Sequence, residues 1–125
     1  MKKKATILII DDDSGIGEML QMLLEMEGHD VSVSENANEA EKLIKEKNVD
    51  LVILDMLISG VNGTEVCAKI RADKEIAKTP ILMMSALHDA GPKCKSAGAN
   101  DFIAKPFEIE DLKMKIEEVL NAVEH

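Results

Sequence analysis

Tryptophan and tyrosine are absent from this chain of 125 residues, and Phe102 and Phe107 are its only aromatics. The core must therefore be built from Ile, Leu, Val, Met and Ala. Cysteine is nearly absent too. Cys67 and Cys94 show no CxxC spacing and no grouping with histidine, so neither a disulfide framework nor a thiolate metal site is expected. Both are read as reduced thiols. No run reaches the ~18 apolar residues of a membrane span. The opening MKKKATILII sets lysines before an apolar run, as a secretory signal does, but that run is short and meets three aspartates. A cytoplasmic location is the resulting expectation.

Positive charge is scarce as well: 24 acidic residues stand against 15 basic ones, a net charge of −9. Such a surface repels nucleic-acid phosphates and anionic lipids, so the expectation is no direct nucleic acid binding and no membrane partner. The one basic run, Lys2, Lys3 and Lys4, reads as a solvated terminus. With 46% hydrophobic and 31% charged residues the balance is that of a globular domain, not a disordered one. The length fits a single domain over residues 1–125.

What the chain does have is a regular alternation. Short apolar runs at Thr6–Ile10, Val31–Val33, Leu51–Leu54, Ile81–Met84 and Phe102–Ala104 are bounded by Asp, Asn, Gly or Pro and read as strands. Runs apolar at nearly every residue suit strands covered on both faces, as in parallel sheets. Between them lie helical spacings. Ile16, Leu20, Leu23 and Leu24 repeat behind a Ser14 cap, and Ala37, Ala40, Leu43 and Ile44 repeat behind Asn36. Val66 and Ile70 mark a third helix, and Ile109, Leu112, Ile116, Val119, Leu120 and Val123 a long last one. The fourth is weak. Gly91-Pro92 breaks anything begun earlier and Gly98 ends it, leaving only Pro92–Ala97. The expected fold is an α/β, doubly wound (βα)5 domain with a five-stranded parallel sheet and a shortened fourth helix. With little left after the fifth helix, the expectation is of no output domain in this chain.

Ligand sites in open α/β sheets lie beyond the carboxyl ends of the strands. Asp11, Asp12 and Asp13 follow the first strand, Asp55 the third, Ser85 the fourth and Lys105 the fifth. A strand order of 2-1-3-4-5 would bring these ends to one edge. Two or three carboxylates held together attract a hard divalent cation such as Mg²⁺. A carboxylate can also attack phosphorus to give an acyl phosphate. Phosphoryl transfer needs positioning and charge neutralisation, which a metal and a lysine supply. Taken alone, Asp-Asp-Asp reads as a solvated turn, Ser85 as a cap and Lys105-Pro106 as a turn. Four such residues at successive strand ends are a far rarer coincidence.

These residues, in ILIIDDD, LVILD, ILMMSA and AGANDFIAKPF, resemble the receiver domains of two-component response regulators over essentially the whole chain. The resemblance implies a flavodoxin-like fold and a phosphoacceptor at Asp55. It implies a Mg²⁺ (or Mn²⁺) ion held by Asp12, Asp55 and the backbone carbonyl of Leu57, with Asp11 acting through water. Asp13 would be a helix-start residue. Ser85 would be the switch hydroxyl and Lys105 the lysine that pairs with the phosphoryl group. Lys105-Pro106 would be a cis peptide bond. Phe102 would be either the aromatic that turns inward on activation or plain core. The implied donor is a sensor histidine kinase or a phosphotransfer protein, with a downstream protein target the sequence does not identify. The domain would not be an enzyme in its own right, although it would assist its own phosphorylation and dephosphorylation.

The sequence departs from the family pattern at Ser59, where proline is usual, while Gly60 and Gly63 remain to form the turn. Leu57 and Leu87 stand two residues after the acceptor and the switch hydroxyl, where two apolar side chains would hinder an attacking water. Ser85 and Lys105 are 20 positions apart, about two fewer than the family leads one to expect, which puts the usual partner surface in doubt. Two rival readings stand beside the main one. A pseudo-receiver would lack the acceptor, the acidic pair or the lysine, and all are present. A haloacid dehalogenase-type phosphatase would use Asp11-x-Asp13, but Ser14-Gly15 follows and Asp55 would have no role.

Overall fold

The computed structural model describes residues 4–58, 60–87 and 89–123. Lys2, Lys3, Ser59, the Val123 side chain and the Glu124-His125 end lie outside the described residues. The chain runs β1 (Thr6–Ile10), α1 (Ser14–Met26), β2 (Asp30–Ser34), a 3₁₀ turn (Ala37–Glu39) and α2 (Ala40–Lys47). It continues through β3 (Leu51–Asp55), the two-residue strands β4 (Leu57–Ile58) and β5 (Val61–Asn62), and α3 (Gly63–Ala72). It ends with β6 (Ile81–Ser85), α4 (Gly91–Ser96), β7 (Asp101–Ala104) and α5 (Ile109–Val123). β4 and β5 pair only with each other, antiparallel. The main sheet has the order β2-β1-β3-β6-β7 and all its pairs are parallel. Counted without the small hairpin, that is the expected 2-1-3-4-5.

Every residue of β3 and β6 is buried, which is why these strands read as unbroken apolar runs. Their side chains alternate between two cores. Leu8, Ile10, Val52, Leu54, Ile81 and Met83 pack with α2, α3 and α4. Ile7, Ile9, Leu51, Ile53, Leu82 and Met84 pack with α1 and α5 on the other face. No aromatic ring is fully buried in either core, as the composition required.

The helix starts correct one reading. Asp13, not Ser14, caps α1: its Oδ1 accepts the Ile16 N–H at 3.2 Å, and Ser14 is the first helical residue. Both residue types are good caps, and the apolar period fixes the start only to within one position. Asn36 does cap its helix, accepting from Asn38 N at 2.9 Å, but the first turn is 3₁₀ before α2 begins. The fourth helix is short as expected, six residues, beginning one residue early at Gly91. Among the described residues no helix is long and apolar enough to cross a membrane.

One side chain ties the far edge of the sheet together. Arg71, in the last turn of α3, donates to Ala77 O (3.0 Å) and Thr79 O (2.6 Å) in the loop before β6. It also donates to Gly98 O (2.9 Å) and Asn100 Oδ1 (2.9 Å) in the turn between α4 and β7. Asn100 Oδ1 accepts in turn from Ile81 N at 2.8 Å. Charged hydrogen bonds contribute about 1.5–3 kcal/mol each, and deletion leaves carbonyls unpaired in a part-buried site. Arg71→Ala is therefore expected to lower stability by roughly 2–4 kcal/mol in urea unfolding. Arg71→Lys should recover only part of that, because an ammonium cannot span all four acceptors.

Candidate functional site

Parallel pairing aligns the carboxyl ends of β1, β3, β6 and β7. Asp55 is the last residue of β3 and pairs in register with Met84, and Ser85 pairs with Ala104, so Lys105 lies immediately past β7. The Lys105 backbone N–H continues the ladder to Ser85 O at 2.7 Å. The Lys105 side chain then reaches across the sheet edge. Its Nζ is 3.2 Å from Asp11 Oδ2 and 3.3 Å from Asp55 Oδ1. Asp11 is completely buried, and its other oxygen accepts the Asp13 N–H at 2.9 Å. Asp12 is exposed. Asp11, Asp12 and Asp55 each offer a carboxylate oxygen, and these lie within 4.8 Å of one another.

Burial pushes the Asp55 carboxyl above its ordinary range, and the neighbouring Asp11 carboxylate pushes it further. Lys105 opposes both without cancelling them. Burial alone would lower the Lys105 ammonium, but the two aspartates outweigh it and hold its pKa above the usual value. The lysine is thus a fixed cation between two acids, one of which is poorly stabilised as an anion. That is a site with electrostatic room for a further positive charge.

The loop after Asp55 is folded tightly against it. Gly60 turns the chain at φ 81°, and the Gly63 N–H meets Met56 O at 2.5 Å. A side chain at Gly63 would come within 2.3 Å of the Asp55 carbonyl oxygen, so only glycine fits there. Asp55, Leu57, Ser85, Leu87 and Lys105 line one open cleft of about 500 Å³. Ser85 is buried and its Oγ accepts the Leu87 N–H at 3.0 Å. Leu57 and Leu87 stand 66% and 57% exposed at the mouth. The Lys105-Pro106 bond is cis.

Phe102 is placed apart from this group. Its half-buried ring packs with the α2–α4 core beside Gly91 and faces a second cavity of about 470 Å³ against α5, which Phe107 also lines. Met56 and Asn62 line the Asp55 cleft and were not anticipated. Asn62 was findable as the α3 cap, accepting from Thr64 N at 2.9 Å, but its place at the cleft depends on the β4–β5 hairpin, which left no period in the sequence.

Residues 7–117 match the family model described as the response regulator receiver domain. The chain is 34% identical over 116 residues, 91% of its length and 48% of the relative's, to the DNA-binding dual master transcriptional regulator RpaA of Synechocystis. It is 37% identical over 112 residues, 88% of its length and 48% of the relative's, to the DNA-binding response regulator MtrA of Mycolicibacterium paratuberculosis. A two-component response regulator from Clostridium difficile superposes with a TM-score of 0.87 at 27% identity, covering 98% of this chain and 100% of that one. The chain spans about half the length of the curated relatives it matches. These relatives, DNA-binding regulators by name, overturn the expectation of no direct nucleic acid binding that was drawn from the net charge of −9. A charge sum over a stretch matching half of a DNA-binding regulator does not decide what such a protein binds.

The raised Asp55 carboxyl has a thermodynamic sign. The folded state holds this proton more tightly than the unfolded state, so the ionised carboxylate costs stability above its folded pKa, and the cost vanishes below the unfolded value of about 3.9. In metal-free buffer Asp55→Asn is expected to raise Tm by a few degrees at neutral pH. The gain should shrink as pH falls towards about 4 in parallel melts of the two proteins. A gain that grew with falling pH would contradict this electrostatic account.

Proposed function

The chain belongs to the response regulator receiver domain family, and on that footing we propose that it accepts a phosphoryl group on Asp55 from a phosphohistidine donor and signals through the resulting change of shape. The observation that carries this reading is Lys105 Nζ held between Asp11 and Asp55 at the floor of an open cleft. The cluster of hard carboxylate oxygens fits Mg²⁺ (or Mn²⁺). Asp12, Asp55 and the Leu57 carbonyl would hold the ion directly, and Asp11 through water. When bound, such an ion neutralises charge on the transferring phosphoryl oxygens.

The protein's own residues do the rest. An Asp55 carboxylate oxygen attacks phosphorus, and the bond from phosphorus to the donor imidazole nitrogen breaks. The imidazole leaves with the electron pair and takes up a proton. Lys105 Nζ, already 3.3 Å from Asp55, moves its hydrogen bond to a phosphoryl oxygen. The Ser85 hydroxyl donates to another and draws the loop before α4 inward, and Phe102 turns into the space vacated. A shift from 1:99 to 99:1 needs about 5.5 kcal/mol of differential stabilisation, and charge-assisted contacts to a dianion are of the right order to supply much of it. The domain acts in the cytoplasm, as a signalling domain that assists its own phosphorylation and dephosphorylation. Its message passes to a DNA-binding function, in a partner or a joined domain, like those named for RpaA and MtrA.

Incubation with Mg²⁺ and a small acyl-phosphate donor is expected to add one phosphoryl group by intact mass, and Asp55→Asn to add none. An unmodified wild-type chain would instead favour a phosphorylation-independent interaction module. Leu57 and Leu87 at the mouth are expected to hinder water, so Leu57→Asn should shorten the phosphoryl lifetime several-fold in a chase without donor. Equal decay in the two proteins would remove that role from Leu57.

A further inference from the structure

The adjacent parallel strands β2, β1 and β3 share an entry at the end of the sheet remote from Asp55. His29 stands immediately before β2, Ala5 immediately before β1 and Asp50 immediately before β3. Two side chains there hold the start of β1. The Ala5 N–H donates to His29 Nδ1 at 3.0 Å, and the Thr6 N–H donates to Asp50 Oδ2 at 2.8 Å. The carbonyls of the same two residues accept from Asp30 N at 2.9 Å and Asp50 N at 2.8 Å. Ala5 is buried in the α1 and α5 core, so its amide depends on the acceptor that His29 supplies. The imidazole is itself held in place. The His29 N–H donates back to Leu24 O at 3.2 Å, and the half-buried ring lines a crevice with Leu24, Glu27, Lys113, Ile116 and Glu117.

We propose that His29 is a pH-sensitive clasp on β1: its neutral ring holds the Ala5 amide, and its protonation between about pH 8 and pH 5, where imidazole ordinarily titrates, releases the entry of the strand. A ring nitrogen that accepts a backbone N–H carries no proton, so the ring is neutral with its one proton on Nε2. A proton taken up from solvent then goes to Nδ1. It turns that atom from acceptor to donor and sets two N–H groups against each other, so the bond to Ala5 is lost. Glu27 at the end of α1 and Glu117 on α5 favour the imidazolium, and Lys113, 2.9 Å from Glu27, disfavours it. These charges set where His29 titrates, and the Ala5 bond sets what the titration does. The Thr6 bond to Asp50 uses no imidazole, so the release is confined to the residue before the strand. No step involves Asp55, and the clasp stands independently of the phosphoacceptor reading.

The test is an NMR titration of the full chain from about pH 8 to about pH 5, following the His29 ring nitrogens and the Ala5 and Thr6 amides. Hydrogen exchange gives the protection factor of each amide across the same range. At the upper end the His29 ring is expected to carry its proton on Nε2. As Nδ1 gains a proton, the Ala5 amide signal should move with the same midpoint. Its protection factor should fall about five- to tenfold, as for the loss of one ordinary hydrogen bond, while that of Thr6 holds. His29→Asn offers an acceptor oxygen near the place of Nδ1 and has no proton to gain. Its Ala5 amide is expected to keep both position and protection throughout. A ring that stays neutral down to the lower end, a starting tautomer with the proton on Nδ1, or an Ala5 amide indifferent to the His29 midpoint would overturn the assignment. So would an Ala5 amide in His29→Asn that still moves at the wild-type midpoint. The wild-type titration needs no variant, so a poorly folding His29→Asn leaves the outcome decidable.

Discussion

The site depends on one ammonium group. Lys105 Nζ lies between the carboxylates of Asp11 and Asp55, which stand at the carboxyl ends of two other strands. Without that cation, two acids would face each other at a buried edge with nothing to offset their mutual repulsion. With it, the Asp55 carboxylate gains a neighbouring positive charge, while burial and Asp11 still hold its pKa above the ordinary range. The parallel ladder makes this possible, because its register brings the strand ends that carry Asp55, Ser85 and Lys105 within two residues of one another along the strands. The fold is therefore a device for bringing residues 94 positions apart in sequence to 3.2 Å in space.

Much of this was legible from the residues. A polar side chain directly after an unbroken apolar run is conspicuous, which is how Asp55, Ser85 and Lys105 stood out. Gly91-Pro92 and Gly98 likewise bounded a short helix to within a residue. Illegible features share a physical character: they are made by contacts with no period. The β4–β5 hairpin has two residues per strand, too few to alternate. Arg71 reads as an ordinary cation at a helix end, while its acceptors lie 6 to 29 residues away. The choice between Asp13 and Ser14 turned on side-chain geometry that both residue types can adopt. Net charge misled for another reason: it is a sum, and a sum over one stretch does not describe what its relatives bind.

The two faces of the sheet are unequal. The α1 and α5 face is covered by helices of 13 and 15 residues. The opposite face ends in α4, a helix of six, and it is there that Phe102 lies. Short elements carry few hydrogen bonds of their own and are drawn to the low end of local stability. Under the proposed switch, a change begun at Ser85 would meet α4, the shortest α-helix among the described residues.

Two of the four hydrogen bonds of Arg71, to Gly98 O and Asn100 Oδ1, hold the turn at the end of α4 farther from Ser85. Mechanically the helix is then a lever with its fulcrum at Gly98. A six-residue helix is about 9 Å long, so a tilt of some 20° would carry its free end only about 3 Å. A lever that short transmits angle better than distance. Under the proposed switch, a partner at this face would therefore meet a change of angle more than a change of position.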